Sequence, residues 1–276
     1  MRRKTEGWEG FHFCRKKFAA RKLAFADGRI ALAEYGFKRV VEPSRIGAGK
    51  EELMTARASS VKPYKGWGME GAVARWYAEL TQKSMERFRD LARRTAEQIA
   101  PQNNVLEVAP GPGYFAIELA KLGDYKITGL DISKTFVEIA RGNAEKAGVR
   151  VDFRRGNASS MPFAKETFDF AVCSAAFKNF SEPKRALEEM YRVLKPGGRA
   201  LIVDLRKDAS RESINEAVEE MGLSAANRVI TKMTFRFMLL KRAYTRKGFE
   251  ELVAQTEFRG VEIRENLIGL EVLLTK

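Results

Sequence analysis

The sequence predicts an α/β fold: a mostly parallel sheet with helices on its faces and an antiparallel pair at its end. Three observations carry this. Val105-Leu-Glu-Val-Ala-Pro-Gly-Pro-Gly-Tyr-Phe-Ala-Ile-Glu-Leu-Ala120 joins an apolar strand-like run to a helical period through two glycines. Short apolar runs and helical periods then alternate as far as strand five, Arg199–Asp204. The last two runs, Gly260–Arg264 and Gly269–Leu274, are separated by only Glu265–Ile268, too little chain for a crossover, so they must pair antiparallel.

The glycine stretch is the first unit of a nucleotide-binding sheet. Gly111 and Gly113 let the backbone approach a ligand, because no Cβ stands in the way. The helix beyond them, with Phe115, Leu119 and Leu122 on one face, turns its free N–H groups toward an anionic group. Gly111-x-Gly113-x-x-Ala116 also fits a dinucleotide fingerprint, and a tight turn that binds nothing fits as well. The stretch by itself leaves these readings open.

Upstream, Val61–Glu70 reads as a loop broken by Pro63, Gly66 and Gly68. One helix is expected from about Gly71 to Ala100, stopped by Pro101. Val73, Trp76, Tyr77, Leu80, Ser84, Phe88, Leu91 and Ala92 share its apolar face. Trp76 is expected to pack on the sheet, whereas Tyr77 could pack or face a ligand. Strand two is Tyr125–Asp131. Asp131 ends it, eighteen residues past Gly113, where such a site places a carboxylate for two ribose hydroxyls. An N-cap role would be the alternative for Asp131, but Ser133 can cap the helix from Lys134 to Ala147, which ends at Gly148.

Strand three is Arg150–Arg155, followed by Gly156-Asn157-Ala158. Strand four, Phe168–Cys173, is apolar enough for a central parallel strand, and Ser174 stands at its carboxyl end. Pro183–Leu194 reads as a helix and Lys195-Pro-Gly-Gly198 as a turn into strand five. About 207–245 is a helical insert carrying Met233, Phe235, Phe237, Met238 and Leu239, a stripe suited to core or to a substrate pocket. A helix over Arg246–Thr256 leads to the closing strand pair.

The totals bound the function. A chain of 276 residues holds one large domain with an extension. Cys14 and Cys173 form no disulfide framework or zinc spacing and suit a reducing, cytoplasmic setting. No run reaches membrane-spanning length, and no secretory signal pattern occurs. The net charge is +14. Residues 1–53 hold thirteen basic against seven acidic residues, with aromatic side chains between the basic clusters and no sustained period. They form a basic N-terminal extension, expected to be poorly ordered, ahead of a domain over 54–276. The extension reads as a transit segment, a nucleic-acid arm, or chain outside the working protein, since Met54 opens the domain-like part; the last is preferred. His12, the only histidine, lies there and reads as a surface residue. A nucleic-acid partner stays open but is not favoured, because no stripe of arginine and aromatic residues is visible.

With these pieces in order the chain resembles the class I S-adenosylmethionine-dependent methyltransferases. It is most similar to the small-molecule branch that includes the ubiquinone- and menaquinone-biosynthesis methyltransferases. The resemblance covers roughly residues 70–276. Val105–Gly113 looks like the first motif, Gly129-Leu-Asp-Ile-Ser133 the second, Gly156-Asn-Ala158 the third and Phe168–Ser174 the fourth. Arg192-Val-Leu-Lys-Pro-Gly-Gly198 looks like the turn before strand five. The ordered set outweighs the dinucleotide reading, because the terminal antiparallel pair also fits. It implies a Rossmann-like methyltransferase fold with a seven-stranded, mostly parallel sheet. It implies S-adenosylmethionine as cofactor, its methionine end on Glu107, Ala109, Gly111 and Gly113. Asp131 would take the ribose hydroxyls, Ile132 would pack on the adenine, and Asn157 and Ala158 would meet the adenine edge. Ser174 would lie beside the sulfonium, and Tyr77 falls where relatives often place a cofactor-contacting aromatic.

The chain departs from the family pattern at four places. Ala109 takes the place of the usual first glycine. Pro110 and Pro112 stiffen the loop and donate no N–H. Asn157 replaces the commoner aspartate. Ala176-Phe-Lys-Asn-Phe180 stands where many relatives carry paired histidines, so no catalytic base is assigned. Methyl transfer from a sulfonium needs alignment more than activation, and no metal is expected. The nucleic-acid amino-methyltransferase signature and the Pro-Cys pair are missing. The expected acceptor is therefore a small, partly apolar molecule. An RNA-directed methyltransferase steered by the extension, or a non-catalytic cofactor binder, is the alternative.

Overall fold

The computed structural model describes residues 64–65, 68–220 and 225–276. The basic extension and the boundary at Met54 lie outside the described residues, as do the side chains of Phe237 and Met238.

Seven strands form one sheet: β1 (Asn104–Val108), β2 (Lys126–Asp131), β3 (Asp152–Arg155), β4 (Phe168–Ser174), β5 (Leu194–Leu205), β6 (Gly260–Glu265) and β7 (Gly269–Thr275). Their order is β3-β2-β1-β4-β5-β7-β6. Pairing is parallel from β3 through β5. β7 runs antiparallel to both β5 and β6, so it is the single reversed strand. The expected closing pair is therefore present, and the sheet is the one the motif order implied.

Side chains alternate across the pleat and fill two cores. Leu106 and Val108 of β1, Ala171 and Cys173 of β4, and Ala200 and Ile202 of β5 face one side. There they meet Leu187 and Met190 of α5 (Pro183–Val193) and Phe249 and Val253 of α8 (Arg246–Val253). Val105, Phe170, Val172 and Leu201 face the other side. They meet Leu91 of α2 (Met85–Ala96), Phe115 and Leu119 of α3 (Tyr114–Ala120), and Val137 and Ala140 of α4 (Lys134–Ala147). Strands buried on both faces read as continuous apolar runs, which is why β4 was legible.

Several expectations are corrected. The single helix over 71–100 is two, α1 (Gly71–Gln82) and α2, broken at Lys83–Ser84. The Thr81 hydroxyl donates back to the carbonyls of Tyr77 and Ala78, and Lys83 and Ser84 donate to carbonyls only three residues back, which tightens and ends α1. The buried face of α1 is Ala74, Ala78 and Thr81 rather than the large apolar residues. Trp76 does not pack on the sheet and is 61% exposed, with Val73 and Leu80 also exposed. Small residues are needed there because the Tyr114 hydroxyl comes in to donate to the Ala78 carbonyl at 2.9 Å. Leu122 falls beyond the end of α3 and is exposed.

β5 begins at Leu194, and the expected turn Lys195–Gly198 is an irregularity inside it. Phe168 pairs with Leu194 and Phe170 with Arg199, so the chain between them bulges out. The insert forms α6 (Arg211–Glu220), α7 (Ala225–Thr234), a π-helical turn Phe235–Leu239 and a 3-10 turn Leu240–Arg242. Phe235 is buried with Ile214, Val218 and Leu240 in a small satellite core, whereas Met233 is exposed. Among the described residues no helix is long and apolar enough to cross a membrane.

Candidate cofactor and acceptor site

The carboxyl ends of β1 and β4 lie side by side where the strand order reverses, the crevice in which open α/β sheets bind ligands. The loop leaving β1 alternates left-handed residues with prolines. Ala109, Gly111 and Gly113 have φ of 57°, 55° and 78°, with Pro110 and Pro112 between them. The two glycines answer different needs. A Cβ on Gly113 would lie 2.6 Å from the Phe153 ring and 2.9 Å from Ala140, so packing alone demands glycine. A Cβ on Gly111 would meet nothing within 4 Å. That open face is the one a ligand can approach. Ala109 takes the left-handed conformation despite its Cβ, and its N–H donates to the Leu130 carbonyl at 2.8 Å. Asn143 Nδ2 holds the Pro112 carbonyl at 2.9 Å.

Asp131 braces this loop directly. One carboxylate oxygen accepts from Gly111 N–H at 2.9 Å, the other from Ser133 N–H at 2.8 Å. The residue is only 5% exposed. Burial pushes its carboxyl up to about 6, against the pull of the backbone donors, and the Glu70 charge adds to the rise. Ser133 caps α4 by accepting from Phe136 N–H at 3.0 Å, as its position suggested, so Asp131 is not the cap. Glu107 is 3% exposed and accepts from Ala116 N–H at 3.2 Å. Burial raises it to about 8, with the Asp131 charge also raising it. Two buried carboxylates in electrostatic contact stand beside an open glycine. Each keeps unused acceptor capacity that a cation or a pair of hydroxyls could fill.

The other expected residues surround this centre. Gly156 N–H donates to the Asp131 carbonyl at 2.9 Å, which brings the β3 end against β2. Asn157 Oδ1 accepts from Ser159 N–H at 3.0 Å, so the amide oxygen already closes a local turn. Ala158 packs against the core beneath it. Ile132 is half-buried, and its carbonyl accepts from Arg155 Nε at 3.2 Å. Ser174 pairs with Val203 at the end of β4. Tyr77 is half-buried, its ring edge-on to Phe136 with centroids 5.9 Å apart.

Glu70 was missed. It accepts from Lys134 N–H, Thr135 N–H and the Thr135 hydroxyl, and Gly71 N–H donates to the Thr135 hydroxyl. Against the cost of burial, these bonds hold its carboxyl below the ordinary range. It thereby pins α1, with Tyr77, to the start of α4. No local signal could have shown a bond across 64 residues.

A buried ion pair was also missed. Lys178, 4% exposed, stands where the histidines were absent. Its Nζ donates to Asp204 Oδ1 at 2.8 Å and to the Ala175 carbonyl at 2.5 Å, and its backbone N–H donates to Asp204 Oδ2 at 2.8 Å. Ala175 presents that carbonyl from a left-handed φ of 58°. The pair ties the turn after β4 to the end of β5. Burial drives the neighbouring Cys173 thiol well above its usual range, so it is no ready nucleophile. Tyr244 is half-buried against Phe177 and Phe249, and burial followed by the Asp204 charge raises its hydroxyl.

A separate hollow of about 250 Å³ lies at the opposite edge of the sheet, lined by Asn103, Asp169, Lys195 and Arg199. Lys195 is paired with Asp169, and Arg199 donates to the Gln98 carbonyl at 2.5 Å, so its charged groups are already engaged. Among the described residues no group of His, Cys, Asp and Glu could hold a metal ion.

Residues 106–202 match the methyltransferase domain family. A demethylmenaquinone methyltransferase of Deinococcus radiodurans is 36% identical over 107 residues, 38% of this chain and 44% of that protein. A ubiquinone/menaquinone biosynthesis C-methyltransferase UbiE of Wigglesworthia glossinidia brevipalpis is 34% identical over 111 residues, covering 39% and 44%. The chain thus spans about half the length of the curated relatives it matches. A structure from Methanococcus maripaludis, assigned to the S-adenosyl-L-methionine-dependent methyltransferases, superposes with a TM-score of 0.65 at 20% identity, over 77% of this chain and 95% of that one. A SAM-dependent methyltransferase from Aquifex aeolicus superposes at 0.52 and 18% identity, over 69% and 97%. Residues 106–202 thus match a methyltransferase domain, and the strand order and the superposed structures share its fold.

Proposed function

We propose that this protein transfers a methyl group from S-adenosylmethionine to a small, partly apolar acceptor of quinone-like character. The observation that carries the reading is the open Gly111 backbone beside two buried, under-used carboxylates. The curated relatives named for menaquinone and ubiquinone biosynthesis support the acceptor class.

S-adenosylmethionine, when bound, supplies an electrophilic methyl on a positively charged sulfur. The residues present suit it. Glu107 and Asp131 offer negative charge at a dry edge, where it counts for more than in water. Glu107, Ala109, Gly111 and Gly113 would hold the methionine end and Asp131 the ribose hydroxyls. Ile132, Asn157 and Ala158 would hold the adenine, and Ser174 and Tyr77 would complete the wall. The insert and the aromatic Tyr244 supply the acceptor side. The protein's contribution is alignment and exclusion of water, since the leaving group is already activated. The cytoplasm is the reducing compartment its two cysteines suit.

The test is calorimetric titration of S-adenosylmethionine, and separately NAD, into wild type and Asp131→Ala. Losing one charge-assisted bond costs about 1.5–3 kcal/mol, hence about tenfold or more in affinity. Wild type should bind S-adenosylmethionine and not NAD, with the variant at least that much weaker. Binding of NAD by wild type would overturn the reading. Unchanged S-adenosylmethionine affinity in the variant would displace the site.

A further inference from the structure

Two cations meet beside Tyr244, with Lys65 over its ring and Arg242 on the Lys65 carbonyl. Tyr64 bridges antiparallel to Phe180, and Lys65 N–H donates to the Asn179 carbonyl at 2.7 Å. This short segment therefore crosses the turn that follows β4, at the carboxyl edge of the sheet. From the other side the end of the insert returns. Tyr244 bridges to Arg206, and Lys207 N–H donates to the Tyr244 carbonyl at 3.0 Å. The two segments join where Arg242 Nη1 donates to the Lys65 carbonyl at 2.9 Å. Lys65 Nζ sits 5.6 Å from the centre of the Tyr244 ring.

Three other cations of this region are neutralised. Lys178 has Asp204, Arg206 has Asp208 and Glu265, and Arg246 has Glu250. Among the described residues neither Lys65 nor Arg242 has a carboxylate partner. Arg242 uses one of its five N–H groups on the Lys65 carbonyl and keeps the rest of its fork. The Asp204 carboxylate, whose charge acts on Tyr244, is already engaged by Lys178 and by the N–H of Leu205. Burial and then Arg242 both work against the charge on Lys65. Such a pair is costly alone and becomes favourable when an anion bridges it.

We propose that Lys65 and Arg242 form a subsite for an anionic oxygen group, carboxylate or phosphate, on a ligand whose apolar ring lies against Tyr244. That this ligand is the methyl acceptor rests on the function proposed above; the anion subsite itself does not.

The test is fluorescence titration of the full chain with 2-naphthoate, 2-naphthyl phosphate and the neutral 2-naphthylmethanol. One charge-assisted contact makes the anions bind about tenfold tighter than the alcohol. Added salt should shrink that advantage. The better of the two anions identifies the group. Lys65→Gln and Arg242→Gln should each narrow the gap, and the double variant should abolish it, while the alcohol binds as before. Arg242→Lys should retain a part of it. Equal binding of all three ligands by wild type would overturn the proposal, whatever the folding of the variants. So would a gap that survives in the double variant. S-adenosylmethionine is titrated in parallel. If it fails to bind while the anion preference is present, the methyl-transfer reading falls and the subsite stands.

Discussion

Replacing Glu107 by glutamine should move stability and cofactor affinity in opposite directions. The Glu107 carboxyl ordinarily titrates at 4.5 and is raised to about 8 by burial. For an acid whose folded value is raised, the folded state holds the proton more tightly than the unfolded chain. Stability is then greatest below 4.5, falls as pH rises through the window, and levels off above about 8. At pH 7 the gap from 4.5 costs about 3 kcal/mol at roughly 1.4 kcal/mol per unit. Glutamine carries no charge at any pH, and its Oε1 can still accept from Ala116 N–H. Its amide N–H groups need partners in the buried site and take back about 1–2 kcal/mol. The variant should melt a few degrees above wild type at pH 7 and lose that advantage near pH 5. Its S-adenosylmethionine affinity should fall and lose the rise toward pH 8 that Glu107 supplies, keeping only the pH dependence of Asp131 near 6. Wild-type affinity should instead rise toward pH 8, because a cationic ligand pulls the proton off Glu107. Thermal melts from pH 5 to 9, with calorimetry in two buffers of different ionisation enthalpy, read both effects. Wild-type and variant melting curves that run parallel across this range would refute the reasoning.

Three further substitutions test the site's construction. Gly113→Ala should destabilise the fold by several kcal/mol, because its Cβ would strike Phe153 and Ala140. Gly111→Ala should cost only about 1 kcal/mol of backbone strain and should weaken cofactor binding instead; denaturant melts and titrations separate the two. Lys178→Met should cost about 3–5 kcal/mol by leaving Asp204 buried without its cation, and Lys178→Met with Asp204→Asn should recover much of that in the same melts.

The sheet was legible because its signals are local. Buried strands are apolar runs, and helices between them carry their own period and caps, as at Ser133 and Gly148. The four residues between β6 and β7 settled their direction. The single helix over 71–100 failed because the break depends on one hydroxyl, Thr81, bonding back to its own turn. Trp76 failed because hydrophobicity marks a candidate face, whereas close approach selects small residues such as Ala74 and Ala78. Within the site, the glycine loop and Asp131 sit where their spacing put them. Asp131's bond to Gly111 could not be read from spacing, nor could Glu70 on α4 or Lys178 on Asp204. Each joins groups that only the folded sheet brings together.

Most of the buried charge in this domain gathers on one edge, whereas left-handed backbone occurs at both, with Gln102 and Glu166 adopting it ahead of β1 and β4. Ala109 and Ala175 both adopt left-handed backbone, each roughly 1–2 kcal/mol above its relaxed state, and both follow neighbouring strands at their carboxyl ends. Glu107 and Asp131 keep carboxyls where burial resists their charge. Lys178 and Asp204 form an ion pair out of water, and Lys65 and Arg242 stand together with no carboxylate partner among the described residues. At the opposite edge the corresponding charges, Lys195 and Asp169, lie partly in solvent. Buried charge persists only where surrounding packing enforces it, and it concentrates at sites that bind. The cores behind this edge supply that enforcement: Gly113 is wedged by Phe153 and Ala140, and Phe177 is locked among Phe180, Tyr244 and Phe249. A cationic ligand at Glu107 and Asp131 and an anion at Lys65 and Arg242 would each relieve a cost that this edge carries. One molecule is thereby favoured by its positive charge over β1 and β2, and another by its negative charge beyond β4. The apolar wall at Tyr244 lies between the anion subsite and the sheet. On the proposed function, that opposition of charge would keep cofactor and acceptor from exchanging places.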